Sequence, residues 1–379
     1  NAPHIVTPER MLLPIIEGGS LGKYSTSLGL YMYDRLAGVE KEERRNMLSK
    51  AQTIQQEPLL NKDILKGGGM YVEYRSDDAR LTIEVLKTAV DKGALCINYV
   101  EFSSFILNEK NIINGAVCKD AFAENELKIK AKKNRNACGT WVDVLRIIDT
   151  FLSKKRLHLT KGIHIVLPNE KLPIRQAVYF DVKDGRMIFA IPRGKKVYIG
   201  TTDTNYTSDT NAPYATKEDV IYLLNAANHM FPTVQLKMED VESSWAGLRP
   251  LIHEDGKSPS DLSRKDEIFI SPSNLISIAG GKLTGFRKMA ERSVNVVCKQ
   301  LKIEEGREFP KCNTEFIKLS GGDLENYPSD YARNLQEDFK QFYLDDVLNL
   351  VLKYGSNTQY ILAAAQTNFN NNLLLAEAE

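Results

Sequence analysis

The clearest helical period in this chain runs through "DDARLTIEVLKTAVDKG", residues 77 to 93, where Leu81, Val85, Leu86, Ala89 and Val90 recur at three- and four-residue spacing. Asp77 or Asp78 is placed to cap it and Gly93 to end it, and its apolar stripe is expected to cover a sheet. The following stretch, residues 94 to 132, alternates apolar and polar positions around the pair Asn114-Gly115, which predicts a small antiparallel meander. From "LTKGIHIVLP" to "DGRMIFAIPRGKKVYIGTTDTNY" the chain is rich in β-branched and aromatic residues. It is punctuated by the turns Lys183-Asp184-Gly185 and Pro192-Arg193-Gly194, so a larger mixed or antiparallel sheet is expected there. "TKEDVIYLLNAANHMF" reads as an amphipathic helix with Thr216 as N-cap and Asp219 completing the box. Beyond Cys312 the pattern turns to polar helical segments, which predicts a helical C-terminal region starting near residue 313.

One stretch changes its period within a few residues. "ISIAGGKLTGFRKMAERS", residues 276 to 293, passes from small apolar residues through Gly280 and Gly281 to Lys282, Leu283, Thr284 and a helix. A strand that enters a helix through glycine leaves backbone N–H groups directed at whatever anion sits before the helix. The stretch is not a Walker A loop, because Leu283 follows Lys282, and no G-x-G-x-x-G opens a helix elsewhere in the chain.

Composition narrows the class. A length of 379 residues with 42% hydrophobic and 26% charged residues suits a folded chain of more than one domain rather than a disordered one. Fifty basic against 49 acidic residues offers no electrostatic footprint for nucleic acid. Cysteines 96, 118, 138, 298 and 312 lack C-x-x-C spacing, which points to free thiols rather than a metal or disulfide framework. No apolar run approaches the roughly 18 residues of a membrane span, and the first residues do not read as a signal peptide.

Four side chains outside the glycine turn could carry chemistry. His164, between Ile163 and Ile165, points to the face opposite its neighbours, as a hydrogen-bonded core histidine or as a base. Arg249, bedded in "SSWAGLRPL", requires an anionic partner, whether a protein carboxylate or a ligand. Arg264 can pair with Asp266 or Glu267 across the surface, and Asp203, after Thr201 and Thr202, can serve simply as a turn residue.

Taken together, "MLLPIIEGGSLGKYSTSLGLYMYDRLAG", "GGGMYVEYRSDDARLTIEVLKTAVDKGA", "LTKGIHIVL", "AVYFDVKDGRMIFAIPRGKKVYIGTTDTNY", "SSWAGLRPL" and the glycine turn resemble the flavin-dependent glycerol-3-phosphate dehydrogenase family, in its low-GC Gram-positive form. The resemblance implies an α/β (α+β) fold. It comprises a partial glutathione-reductase-type FAD-binding domain, an antiparallel β substrate domain and a helical C-terminal domain. It divides the chain into substrate-domain segments at 1–70 and 149–265, FAD-domain segments at 71–148 and 266–312, and a helical domain at 313–379. It implies oxidation of sn-glycerol 3-phosphate to dihydroxyacetone phosphate by hydride transfer from C2 to N5 of FAD, with electrons passed to a quinone.

By the same resemblance Arg249 and Arg264 hold the substrate phosphate, Lys282 lies near flavin and substrate, His164 is the general base, and Asp203 and Thr202 orient substrate or base. Asn136, Ala137, Gly139, Trp141, Gly280, Gly281, Lys282, Leu283 and Thr284 are the expected cofactor contacts, and no metal is expected. The location implied is the cytoplasm, peripheral at the inner face of the cell membrane, with a homodimer possible. Residue 1 is expected to fall just after the family's FAD fingerprint and residue 379 before the end of its cap. Asn134, Arg135 and Thr140 depart from the family's apolar and proline positions. Two rival readings are a related FAD oxidase acting on an amino acid or using oxygen, and a catalytically silent module lacking a complete FAD site.

Overall fold

The computed structural model describes residues 1–20, 22–123, 125–254, 265–325 and 327–367. Its centre is a nine-stranded sheet in the order β12-β8-β11-β10-β9-β1-β3-β2, with β13 on the free side of β8. These strands are β1 (Val6–Ile16), β2 (Asn46–Ser49), β3 (Leu65–Ser76), β8 (Lys155–Pro168), β9 (Ala177–Asp181), β10 (Met187–Arg193), β11 (Lys196–Gly200), β12 (Thr204–Asn205) and β13 (Ser243–Glu254). Every pairing is antiparallel except β1 with β9. The turns read in sequence are in place, with Gly185 and Gly194 at φ 83° and 58° between β9, β10 and β11. The boundary drawn at residue 70 falls inside β3, which runs on to Ser76.

One face of this sheet is a dry core. Ile163, Ile165 and Leu167 of β8, with Ile188, Ala190, Val197 and Ile199, pack under α5 (Lys217–Met230), which contributes Leu223, Ala227 and Met230. The helix starts where the sequence placed it: the Thr216 hydroxyl accepts from the Asp219 amide, and the Asp219 carboxylate accepts from the Thr216 amide. Behind the sheet edge, α1 (Lys23–Ala37) and α2 (Lys50–Gln56) lie against β3. Gly68 and Gly69 allow this approach, because a Cβ there would meet Thr53 Oγ1 of α2 at 2.9 Å and Leu30 Cδ1 of α1 at 2.8 Å, while at Gly67 it would meet Leu48 O of β2 at 2.8 Å.

The meander is β4 (Val100–Leu107), β5 (Ile113–Asp120) and β6 (Glu126–Lys130). Its first turn is not at Asn114-Gly115, which lies within β5 with Gly115 opposite Lys130. The chain reverses at residues 108–112 instead, where the Asn108 side chain accepts from the Lys110 and Ile112 amides and Asn111 takes the positive φ.

A second correction concerns α3 (Asp78–Asp91). Asp77 caps it, but Leu81 and Val85 pack on Ala2, Ile5 and Phe286 rather than across a sheet, and Leu86 and Val90 remain half exposed.

A three-stranded sheet of β14 (Asp266–Ile270), β15 (Ile276–Gly280) and β7 (Arg135–Asn136) leads, with β7 followed by α4 (Val142–Ile148), into α6 (Phe286–Glu305). The C-terminal helices α7 (Pro328–Asp338), α8 (Leu344–Tyr354) and α9 (Thr358–Thr367) share their own core of Ala332, Leu335, Val347, Leu350 and Leu362. Among the described residues no helix is long and apolar enough to cross a membrane.

Candidate active site

Strand alternation sends His164 to the face opposite Ile163 and Ile165. There its ring stacks on Trp245, its cross-strand partner on β13, with centroids 4.9 Å apart at 12°. Its other cross-strand partner is Gly200, where a Cβ would lie 2.6 Å from His164 Nε2, so only glycine leaves the ring its place. Burial, helped by the charge of Arg249, lowers the His164 pKa to about 4 and keeps the imidazole neutral.

Arg249 is set by the same logic one turn of the ladder away. It lies opposite Thr160 on β13, and its guanidinium crosses Gly162, where a Cβ would be 2.5 Å from Nη1. Nη1 donates to Thr202 O at 3.2 Å and to Asp203 Oδ1 at 3.4 Å, and Nη2 donates to Thr201 Oγ1 at 2.9 Å. About a third of the side chain remains open to solvent, so the group is oriented without being consumed by its carboxylate partner.

Arg249 also lines a cavity of about 1100 Å³, together with Arg135, Ala137, Gly280, Gly281, Lys282 and Leu283. Gly280 and Gly281 have φ of 76° and 80°, and a Cβ on either would strike Lys265 O at 2.5 Å or Met289 Sδ at 2.7 Å. This double left-handed bend turns β15 into a short 3-10 turn at Leu283–Gly285 and then into the 20-residue α6. Neither the turn nor α6 has a side-chain cap. The Gly285 and Phe286 amides close the turn onto Lys282 O and Leu283 O, and the joint stands beside the cavity at the positive end of a long helix dipole.

The remaining positions singled out in the sequence separate. Lys282 lies near enough to Glu73 of β3 for its charge to temper a carboxyl that burial raises and that accepts from Tyr33 Oη. Thr202 does not present its hydroxyl to a substrate: the group is buried, accepts from the Ile163 amide at 3.1 Å and donates to Lys161 O. Its carbonyl accepts from Arg249 Nη1.

Asn136 is a buried tie to Val142 O and Ser277 Oγ rather than a wall of the cavity. Gly139 takes φ 59° in the next turn, and Trp141 Nε1 donates to Asn211 Oδ1. Thr284 lines a separate apolar cavity behind the turn, bounded by α3 and α6. Arg264 lies outside the described residues.

The departure at Asn134 and Arg135 is accommodated without a buried loose end: Asn134 donates to Ile113 O, and Arg135 faces the large cavity and reaches Ser293. Gly162, Gly200, Thr201 and Trp245 were not recognised from sequence. The signal was available for the glycines, since a glycine inside a β-branched run marks a close approach. Nothing in the sequence said what approached.

The glycine bend, the uncapped helix N-terminus and the large cavity suit the flavin half of FAD. The positive end of the α6 dipole would suit the negative charge of a reduced flavin, and the apolar wall of Leu248, Leu251, Ile278 and Phe286 would suit the ring system. The nine-stranded sheet beside this turn agrees with the class of flavin-dependent oxidoreductases, and residues 1–287 match the family model described as FAD dependent oxidoreductase.

The aerobic glycerol-3-phosphate dehydrogenase of Staphylococcus aureus strain USA300 is 52% identical over 373 residues, covering 97% of this chain and 67% of that protein. The structure of the Bacillus halodurans glycerol-3-phosphate dehydrogenase complexed with FAD superposes with a TM-score of 0.82 at 46% identity, over 99% of this chain and 69% of that one. The L-alpha-glycerophosphate oxidase of Mycoplasma pneumoniae, at 18% identity and a TM-score of 0.58 over 82% of this chain and 76% of that one, shares the fold. The chain belongs to the FAD-dependent glycerol-3-phosphate dehydrogenase family.

Proposed function

We propose that this chain oxidises sn-glycerol 3-phosphate to dihydroxyacetone phosphate with FAD as its cofactor. The observation that carries the reading is the placement of Arg249: bent over Gly162, held by Thr201, Thr202 and Asp203, it faces a large cavity whose far wall is the glycine bend of α6. A guanidinium fork suits a phosphate oxygen pair, and Arg264 is the proposed second cation. The names of the relatives agree with this substrate.

Within this reading FAD, when bound, supplies the acceptor at N5 for the hydride that leaves C2. His164 accepts the proton of the C2 hydroxyl, a role its neutral ring suits. The stack with Trp245 and the gap at Gly200 fix the ring plane. Asp203 orients Arg249, while Lys282 and the positive end of the α6 dipole would offset negative charge at the flavin edge. Ala137, Gly280, Gly281 and Leu283 form the flavin-side wall, and Asn136 supports it from behind.

A membrane quinone is the proposed onward acceptor, which places the enzyme peripherally at the inner face of the membrane, and a homodimer is the proposed assembly. The test is a co-crystal with glycerol 3-phosphate. Phosphate density between Arg249 and Arg264, with C2 towards His164, is expected. Saturable binding with the phosphate elsewhere overturns the assignment.

A further inference from the structure

The seam between the large sheet and α8 holds a cavity that the proposed reaction does not use. β9 begins at Ala177, opposite Met11, so among the described residues the first part of β1 has no strand on that side, and Arg193 at the end of β10 stands across the gap. On the other side of β1, Thr7 pairs with Arg75 of β3. α8 closes the opening: it buries Val347, Leu350 and Val351 in the helical core and brings Asn349, Leu352 and Lys353 to the gap. The enclosed space is about 350 Å³.

Basic groups dominate its wall. Arg75, Arg193 and Lys353 reach it from three separate elements, and the carboxylate that lines it is Asp77. That carboxylate is already engaged, because it accepts from the Arg80 amide at 3.0 Å as the cap of α3. Glu9 approaches Arg75 Nε at 3.4 Å, and with the arginine side chain 37% exposed this is a weak pairing that leaves most of the fork available.

A fourth basic side chain borders the same space. His4 is 1% exposed, and neither of its ring nitrogens has a hydrogen-bond partner among the described residues. A buried imidazole left unbonded is costly. Even when neutral it carries one N–H donor, which an acceptor in the cavity would satisfy.

We propose that this cavity is a second anion site, taking a phosphate dianion, free or as the head of a small phosphate monoester, and that the anion ties α8 to the sheet. Two guanidinium forks and an ammonium group suit the several oxygens of a phosphate better than the two of a carboxylate. The four basic groups meet only where α8 lies on the sheet, so an anion held by all of them strengthens that contact. The site is separate from the cavity that Arg249 lines, and it depends on neither the flavin nor the proposed reaction.

The test is equilibrium dialysis of the FAD-loaded Arg249→Ala protein against radiolabelled inorganic phosphate at fixed ionic strength, the substitution serving to weaken the proposed substrate site. One phosphate per chain is expected. Adding Arg193→Ala or Lys353→Ala is expected to weaken it about tenfold or more, and adding Lys119→Ala, on β5, to leave it unchanged. Equal binding in all of these overturns the proposal, as does displacement of the label by chloride as readily as by unlabelled phosphate. Displacement by ethyl phosphate as strong as by phosphate supports the site as one for monoesters, and displacement by phosphate alone supports it as one for the free anion. Should an alanine variant fail to fold, Arg193→Lys and Lys353→Gln take its place with the same direction expected. Thermal melting gives an independent reading: phosphate is expected to raise the melting temperature of the Arg249→Ala protein and not of the same protein carrying Lys353→Gln. An equal rise in both overturns the tie to α8.

Discussion

Two glycines decide where the Arg249 and His164 side chains stand. Gly162→Ala would place a methyl group against the Arg249 guanidinium, and Gly200→Ala would place one against His164. The expected outcome for Gly162→Ala is a raised substrate concentration for half-maximal dye reduction, with the turnover number less affected. For Gly200→Ala it is slower flavin bleaching with milder change in affinity, and stopped-flow mixing with glycerol 3-phosphate separates the two. Arg249→Ala removes a charge-assisted pair of about 2 to 5 kcal/mol, so its half-saturation concentration should rise steeply. Unchanged dye reduction at low substrate would remove Arg249 from the site. The arginine and the histidine were both legible as candidates in sequence, because a lone cation in an apolar segment needs a partner. Their glycine counterparts were not, since Gly200 lies 36 positions from His164 and Gly162 lies 87 positions from Arg249, and the register that brings them together is a tertiary fact.

At the scale of elements, the β15–α6 joint depends on two successive left-handed residues. Gly281→Ala combines a positive φ with a clash against Met289, and is expected to cost about 1 to 3 kcal/mol of stability and to lower flavin retention. Urea unfolding and the absorbance of the purified protein read the two effects. Thr216→Ala is the control: it removes the cap of α5, far from the turn, and should cost about 1 kcal/mol with flavin content unchanged. Capped amphipathic helices such as α5 were readable because their signals lie within a few residues of each other. The meander turn was misplaced for the opposite reason. Asn114-Gly115 carries the local hairpin signal, yet Gly115 sits in the strand opposite Lys130, while the Asn108 side chain organises the reversal. Likewise the stripe of α3 forecast a sheet beneath it, and only half of it is covered.

For the whole molecule, pH is a direct probe of burial. His4, enclosed with neither ring nitrogen bonded among the described residues, and His164 both have pKa values lowered to about 4, chiefly by burial. Between pH 6.5 and 4 the unfolded chain binds these protons and the folded chain does not, so the unfolded state is favoured as pH falls. The contribution is complete above pH 6.5 and is lost through this window. The urea midpoint should therefore drop from pH 7 to pH 4.5, with a shallower slope in His4→Gln. An equal slope in the variant would show that His4 does not contribute.

The sequence by itself determined the capped helices, the glycine bend before α6 and the residue types that could hold an anion or move a proton, because those signals are carried by local period and backbone chemistry, while the class of fold came through resemblance to a family. Only the tertiary structure decided that Arg249 and His164 share a sheet face with Gly162 and Gly200, that Asn136 and Thr202 work as internal ties, and that Arg75, Arg193 and Lys353 line one cavity. Each of these depends on which strand lies beside which, and that register is set by burial summed over the whole sheet rather than by any one segment.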